Sequence, residues 1–234
     1  MTRKDLARSA SFGAGRTSAL TSTVRELMPT SLITLAESLG LAYLSGVSLY
    51  ATVALLGFAS HAGWISVPHG PLTGLENPFV IAIATTLAVI EFIATLIPGV
   101  ATLWESAHTF IRPPAAAVLA VATAWHGDPS LVLAAGLLGG GLGLATHVTR
   151  LGLRVAVDAS PEPVTNGLLN IAELSVLATL SYLVWHHPII TLVIALGLLV
   201  LTAMLVRIVW RALGNLFRGN WGTFFKTRDV EPKS

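Results

Sequence analysis

Two glutamates interrupt otherwise apolar runs: Glu91 in Ala88-Val89-Ile90-Glu91-Phe92-Ile93, and Glu173 in Asn170-Ile171-Ala172-Glu173-Leu174. An acid at the centre of a lipid-embedded helix costs about 2.5–3.5 kcal/mol on insertion scales. Such groups therefore face a bundle interior and mark ion pathways or proton relays, or else they bond one helix to another. Glu37 is a third acid, placed near the expected inner end of the first apolar stretch, where a solvated role and a functional one stand level. The densest polar cluster is Trp104-Glu105-Ser106-Ala107-His108-Thr109-Phe110-Ile111-Arg112-Pro113. Glu105, His108 and Arg112 are three and four residues apart, so a helix puts them on one face. That face suits anion binding, proton relay or Glu-x-x-His metal ligation. A di-iron bundle needs two such pairs, and His147 has Leu144 where its glutamate would stand, so neither metal nor cofactor is expected. The competing reading is an amphipathic interfacial segment with Arg112 at headgroup level.

The elements that position these residues read as membrane helices. The chain is 53% hydrophobic and only 11% charged, against roughly 25% charged in soluble proteins. It has no cysteine, which excludes disulfides, thiolate metal sites and thiol nucleophiles. A net charge of +2 does not make it a nucleic-acid binder, because its basic residues sit at apolar-segment boundaries without an aromatic-laced patch. Arg3, Lys4, Arg8, Arg16 and Arg25 precede the first apolar stretch. Arg112 marks the second turn, Arg150 and Arg154 mark the fourth, and Arg207, Arg211, Arg218, Lys226, Arg228 and Lys233 lie at or past the end of the last. Residues 59–77, 126–129 and 186–188 carry neither Lys nor Arg. The positive-inside rule then predicts an all-α integral membrane protein with about six spans and both termini cytoplasmic. Residues 1–28 form a basic tail without the apolar core of a signal peptide, 29–217 the membrane domain, and 218–234 a polar tail.

Along the chain, 31–58 reads as the first span and is long enough to tilt. The second starts after Asn77-Pro78 and stops at Pro98-Gly99. The third, 100–125, is broken by Pro113-Pro114, which leaves 100–112 either interfacial or inside the membrane. The fourth, 129–151, holds Gly136, Gly139, Gly140, Gly141 and Gly143, and Ala135, Gly139 and Gly143 form a small-residue face for close packing or self-association. A loop over 158–166, capped by Thr165 or Asn166, leads to the fifth and sixth spans, 167–186 and 188–213, joined by a tight hairpin at Trp185-His186-His187-Pro188. Leu39-Gly40-Leu41-Ala42 recurs as Leu142-Gly143-Leu144-Ala145, which is compatible with two inverted three-helix halves. Trp64, Trp125 and Trp185 fall where an outer aromatic belt would lie. His61, His69, His126, His186 and His187 are also outer, with no ligand spacing among them.

The strings Glu91-Phe92-Ile93-Ala94 through Pro98-Gly99, Trp104 to Pro113, Gly139-Gly140-Gly141 to His147, and Ser160-Pro161-Glu162-Pro163 to Glu173 occur in an order that resembles the bacterial membrane family called domain of unknown function 4126. The resemblance covers about residues 35–215 and implies a six-span inner-membrane architecture without an activity. Members commonly carry an Asp after the Pro-Gly turn, where this chain has Val100-Ala101-Thr102, and another where it has Leu174.

Three functions fit. The first is a small transporter or channel, proton- or cation-linked, with Glu91 and Glu173 facing a polar interior and Glu105, His108, Arg112 and His147 at its mouth. The second is a non-catalytic scaffold whose acids hold helices together. The third is an enzyme acting on lipid or isoprenoid headgroups through the Glu105, His108 and Arg112 face, which lacks a paired nucleophile and base. The partners implied are the bilayer, a small ion or solute, and a second copy of the chain.

Overall fold

The computed structural model describes residues 29–97, 99–158 and 163–217, so both expected tails lie outside the described residues. Secondary structure among the described residues is helical, with no strand. The first apolar stretch is not one span. Helix α1 (Thr30–Val47) ends at Ser48, whose φ of −150° and ψ of 109° are extended, and helix α2 (Leu49–His61) begins there. The Ser48 Oγ accepts from the Ala51 amide at 3.4 Å, the geometry of an N-cap. A serine inside the apolar run thus starts a second helix where hydropathy reads continuity.

The two helices double back on each other. Gly40 packs on Val184 and Thr191 and Gly46 on Gly143 and Thr146, so α1 descends from the end of the bundle that bears the 186–188 turn, called here the upper end. A 3₁₀ helix, Pro71–Glu76, follows α2, and helix α3 (Pro78–Ala94) descends antiparallel to α2, with Gly57 against Ile81. The Asn77 side chain caps α3 by accepting from the Phe79 amide at 2.9 Å, and Pro78 occupies its first turn as the sequence implies. Helix α4 (Val100–His108) and helix α5 (Arg112–Thr123) form one ascending, broken passage. The break falls at 109–111, just before the Pro113-Pro114 pair in the first turn of α5.

Helix α6 (Pro129–Asp158) descends against α5. A Cβ on Gly139 would lie 2.5 Å from that of Ala120, and one on Gly143 would press on Ala116. The small-residue face is therefore consumed within the chain, against α5 and against Ala42 of α1, and is not left for a second copy. Helix α7 (Pro163–His186) ascends and helix α8 (Pro188–Phe217) descends, joined at His187 as expected. Thr165 and Asn166 lie inside α7, so neither is its cap; Pro163, with its fixed φ, opens the helix instead.

Segments of α1, α6, α7 and α8 are long and apolar enough to cross a membrane, and α2 and α3 are shorter apolar helices. The exteriors are apolar: Leu103, Phe110, Val193 and Val200 are exposed, whereas Glu105, Arg112, His147 and Arg154 are fully buried. That inversion suits a lipid solvent, which cannot hydrate charge. The Ser48 reversal also changes the topology. The described chain begins at the upper end and α8 finishes at the lower, whereas six full spans would return it to the same end. It further removes the inverted repeat. The helices carrying Leu39–Ala42 and Leu142–Ala145 run parallel, while α3 and α7, which carry the paired acids, run antiparallel, and no single two-fold axis does both.

Candidate functional site

Six charges from five helices, five of them buried and Glu173 partly so, meet in the lower half of the bundle. Glu91 comes from α3, Glu105 from α4, Arg112 from α5, Arg150 and Arg154 from α6, and Glu173 from α7. Three carboxylates face three guanidiniums, so the group is formally neutral. Arg112 donates to Glu91 at 2.5 Å and also to Glu105. Arg150 is the hub: Nε and Nη2 embrace Glu173 at 2.8–3.1 Å, while Nη1 reaches Glu91 at 3.1 Å and bonds Glu105. Arg154 donates to Glu173 at 2.7 Å and to the side-chain Oδ1 of Asn170. Such a group persists out of water only because each charge is paired and hydrogen-bonded.

Uncharged groups complete it. The Ser48 hydroxyl, at the tip of the α1–α2 hairpin, donates to Glu91 at 2.8 Å. Asn170 donates to Thr95 at 3.0 Å and to the Phe92 carbonyl at 3.2 Å, tying α7 to α3. His147 Nδ1 lies 3.2 Å from Arg112, which can only donate. The ring proton therefore sits on Nε2, which faces the Thr109 hydroxyl at 3.0 Å. Arg112 Nε and Arg154 Nε and Nη1 find no hydrogen-bond partner among the described residues.

Two cavities converge here. One of about 250 Å3 opens between α2, α3 and α7 and is lined by Ser48, Ala51, Ala88, Glu91 and Leu177. The other, about 160 Å3, lies between α1, α6, α7 and α8 and is lined by Tyr43, Val47, Thr146, Thr149 and Val176. Arg150 and Glu173 line both, so this ion pair is the partition between them.

A family model described as a domain of unknown function, DUF4126, matches residues 35–208. The chain belongs to the DUF4126 family. No curated protein and no solved structure matches it.

In this DUF4126 chain, Glu91, Glu173, Glu105, Arg112 and His147 come together, and His108 does not join them. Its Nδ1 donates to the Trp104 carbonyl at 2.7 Å, its ring stacks on Trp104, and its Nε2 accepts from the Tyr50 hydroxyl at 3.1 Å. Glu105 turns instead to Arg112 and Arg150, so the Glu-x-x-His pair diverges. Among the described residues no group of three His, Cys, Asp or Glu is arranged to hold a metal. Arg112 is fully buried, so the interfacial reading of 100–112 gives way to a polar face turned inward and an apolar face, Leu103 and Phe110, turned outward. Gly136 and Gly140 pack on α5 beside Gly139 and Gly143, meeting Val121 and Ala117. Glu37 is at the upper end, near Trp185 and His186, because α1 runs opposite to the expected direction.

Arg150, Arg154, Asn170, Ser48 and Thr95 are the members missed from sequence. Arg150 and Arg154 read as loop residues marking the cytoplasmic side. Yet His147, Arg150 and Arg154 are spaced three and four apart, the same one-face signal that singled out Glu105, His108 and Arg112. Asn170 stands three residues before Glu173 in the same way.

Proposed function

We propose that this DUF4126 chain is a small transporter or channel of the bacterial inner membrane, without catalytic activity. A proton or cation passes by exchanging with a guanidinium at Glu173 and Glu91. The observation that carries this reading is the position of the Arg150–Glu173 pair between two cavities. A carboxylate with two arginine partners can release one and keep the other, and an arriving cation then restores neutrality. The helix breaks at Ser48 and at 109–111 lie beside the cluster and supply hinges.

The test is flux in proteoliposomes under imposed proton and cation gradients, followed with a pH-sensitive dye. Wild type is expected to conduct, and a folded Glu91→Gln, Glu173→Gln variant to lose that flux. A wild type silent under every gradient overturns the reading. A scaffold is the second reading, favoured by the formal neutrality of the cluster. It requires a silent wild type and a variant that does not fold.

A further inference from the structure

The cavity of about 160 Å3 between α1, α6, α7 and α8 has a lining that the ion-pair cluster does not account for. Its walls carry four hydroxyls, from Tyr43, Thr146, Thr149 and Thr202, beside Arg150 and Glu173. Thr149 and Thr202 each donate to their own helix, to the Ala145 and Leu198 carbonyls at 2.8 Å, and their oxygens can still accept. The Thr146 hydroxyl is different. Thr146 is 3% exposed, and its Oγ1 is buried with no hydrogen-bond partner among the described residues. A buried hydroxyl costs free energy unless something bonds it.

The size of the cavity selects the occupant. It is smaller than the roughly 300–1,000 Å3 of small-molecule sites, and at roughly 30 Å3 per molecule it has room for about five waters. A purely apolar cavity stays dry, whereas water is held where several polar groups meet it. We infer that this cavity is filled with water and that its waters, held by Thr146 and Tyr43, deliver protons to Glu173. This rests on the transport reading above and narrows its cargo from a proton or cation to a proton. Glu173 is the carboxylate placed to receive it. Its side chain is 15% exposed, against 4% for Glu91 and 0% for Glu105. Its Oε2 accepts from both Arg150 and Arg154, while Oε1 accepts from the Arg150 Nε at 3.1 Å and has a lone pair to spare. A proton needs no more than that lone pair. A metal ion would need several oxygens at a carboxylate that two guanidiniums already hold. As a hydrated proton is taken up, an O–H bond forms at Glu173, the acid becomes neutral and its hold on Arg150 weakens. The same bond breaks when the proton leaves to water in the cavity on the far side, which Glu173 also lines, and the cluster returns from a net positive charge to neutrality.

The full chain in sealed proteoliposomes carries two tests. The first reads water without reading flux. Thr202→Cys, in the cavity wall, and Val200→Cys, 59% exposed on the outward face of the same helix, are treated with methanethiosulfonate ethylammonium. The reagent is attacked by the thiolate, which forms in water and not in lipid, so Thr202→Cys is expected to react at least about tenfold faster. The second is proton flux followed with a pH-sensitive dye. Thr146→Val and Tyr43→Phe each remove one hydroxyl at nearly constant shape, and Thr146→Val breaks no hydrogen bond among the described residues, so it is expected to fold. Each should lower flux at least about tenfold, as loss of a positioned proton-transfer group does, while Thr86→Val, outside the cavity, leaves it unchanged. Equal reaction of the two cysteines, wild-type flux in either folded variant, or flux that requires an alkali cation gradient overturns the proposal and leaves the transport reading standing. A wild type silent under every gradient overturns both.

Discussion

Arg150→Met is the perturbation that most sharply tests the account of the cluster. Arg150 is 6% exposed and bonds Glu91, Glu105 and Glu173 at once. Its removal leaves three carboxylates against two guanidiniums, an uncompensated buried negative charge. Breaking such a pair from one side costs about 3–5 kcal/mol. Methionine keeps most of the side-chain volume, so little of this cost comes from a cavity. The double variant Arg150→Met, Glu173→Gln restores the charge balance, and we expect it to be more stable than the sum of the two single losses by about 2–3 kcal/mol. The measurement is an unfolding titration of the purified protein from mild detergent into dodecyl sulfate, followed by far-ultraviolet circular dichroism. Arg211→Met, at an exposed position near the end of α8, is the control and should stay within about 0.5 kcal/mol of wild type. A loss below about 1 kcal/mol for Arg150→Met, or additivity within about 0.5 kcal/mol in the cycle, would refute the reasoning.

Gly143→Leu places a side chain against Ala116 and the Ala42 carbonyl and should cost more than about 3 kcal/mol in the same titration, the upper end of overpacking penalties. Gly141→Leu, with nothing within 4 Å of its Cβ, should unfold near wild type; equal effects at the two glycines would contradict the α5–α6 packing. Because the chain has no cysteine, single cysteines report sidedness cleanly. Thr30→Cys and His61→Cys are expected to react with an impermeant maleimide from one side of sealed vesicles and Arg211→Cys from the other, whereas Thr30 reacting together with Arg211 would restore an uninterrupted first span.

The sequence by itself determined the solvent of this fold and most of its chemistry. Apolar runs with few charges suit lipid, and acids inside them turn inward, so Glu91 and Glu173 were legible as interior groups without coordinates, whereas Glu105, in a polar cluster, read equally as the mouth of a pathway or an interfacial face. The caps at Asn77-Pro78 and the turn at His187-Pro188 were equally local, since proline and its neighbours constrain the backbone within a few residues. Tertiary structure decided the rest. Arginine at the edge of an apolar run has two low-energy solutions, snorkelling to a headgroup or pairing with a buried carboxylate. Only the approach of α3, α4 and α7 to α6 selects the second for Arg150 and Arg154. The reversal at Ser48 is of the same kind. A serine within an apolar helix can bond its own preceding turn or cap a new one. Here the Glu91 carboxylate, more than forty residues away in sequence, accepts a hydrogen bond from its hydroxyl at the tip of the hairpin. Hydropathy sums one segment at a time, and neither choice is made within one segment.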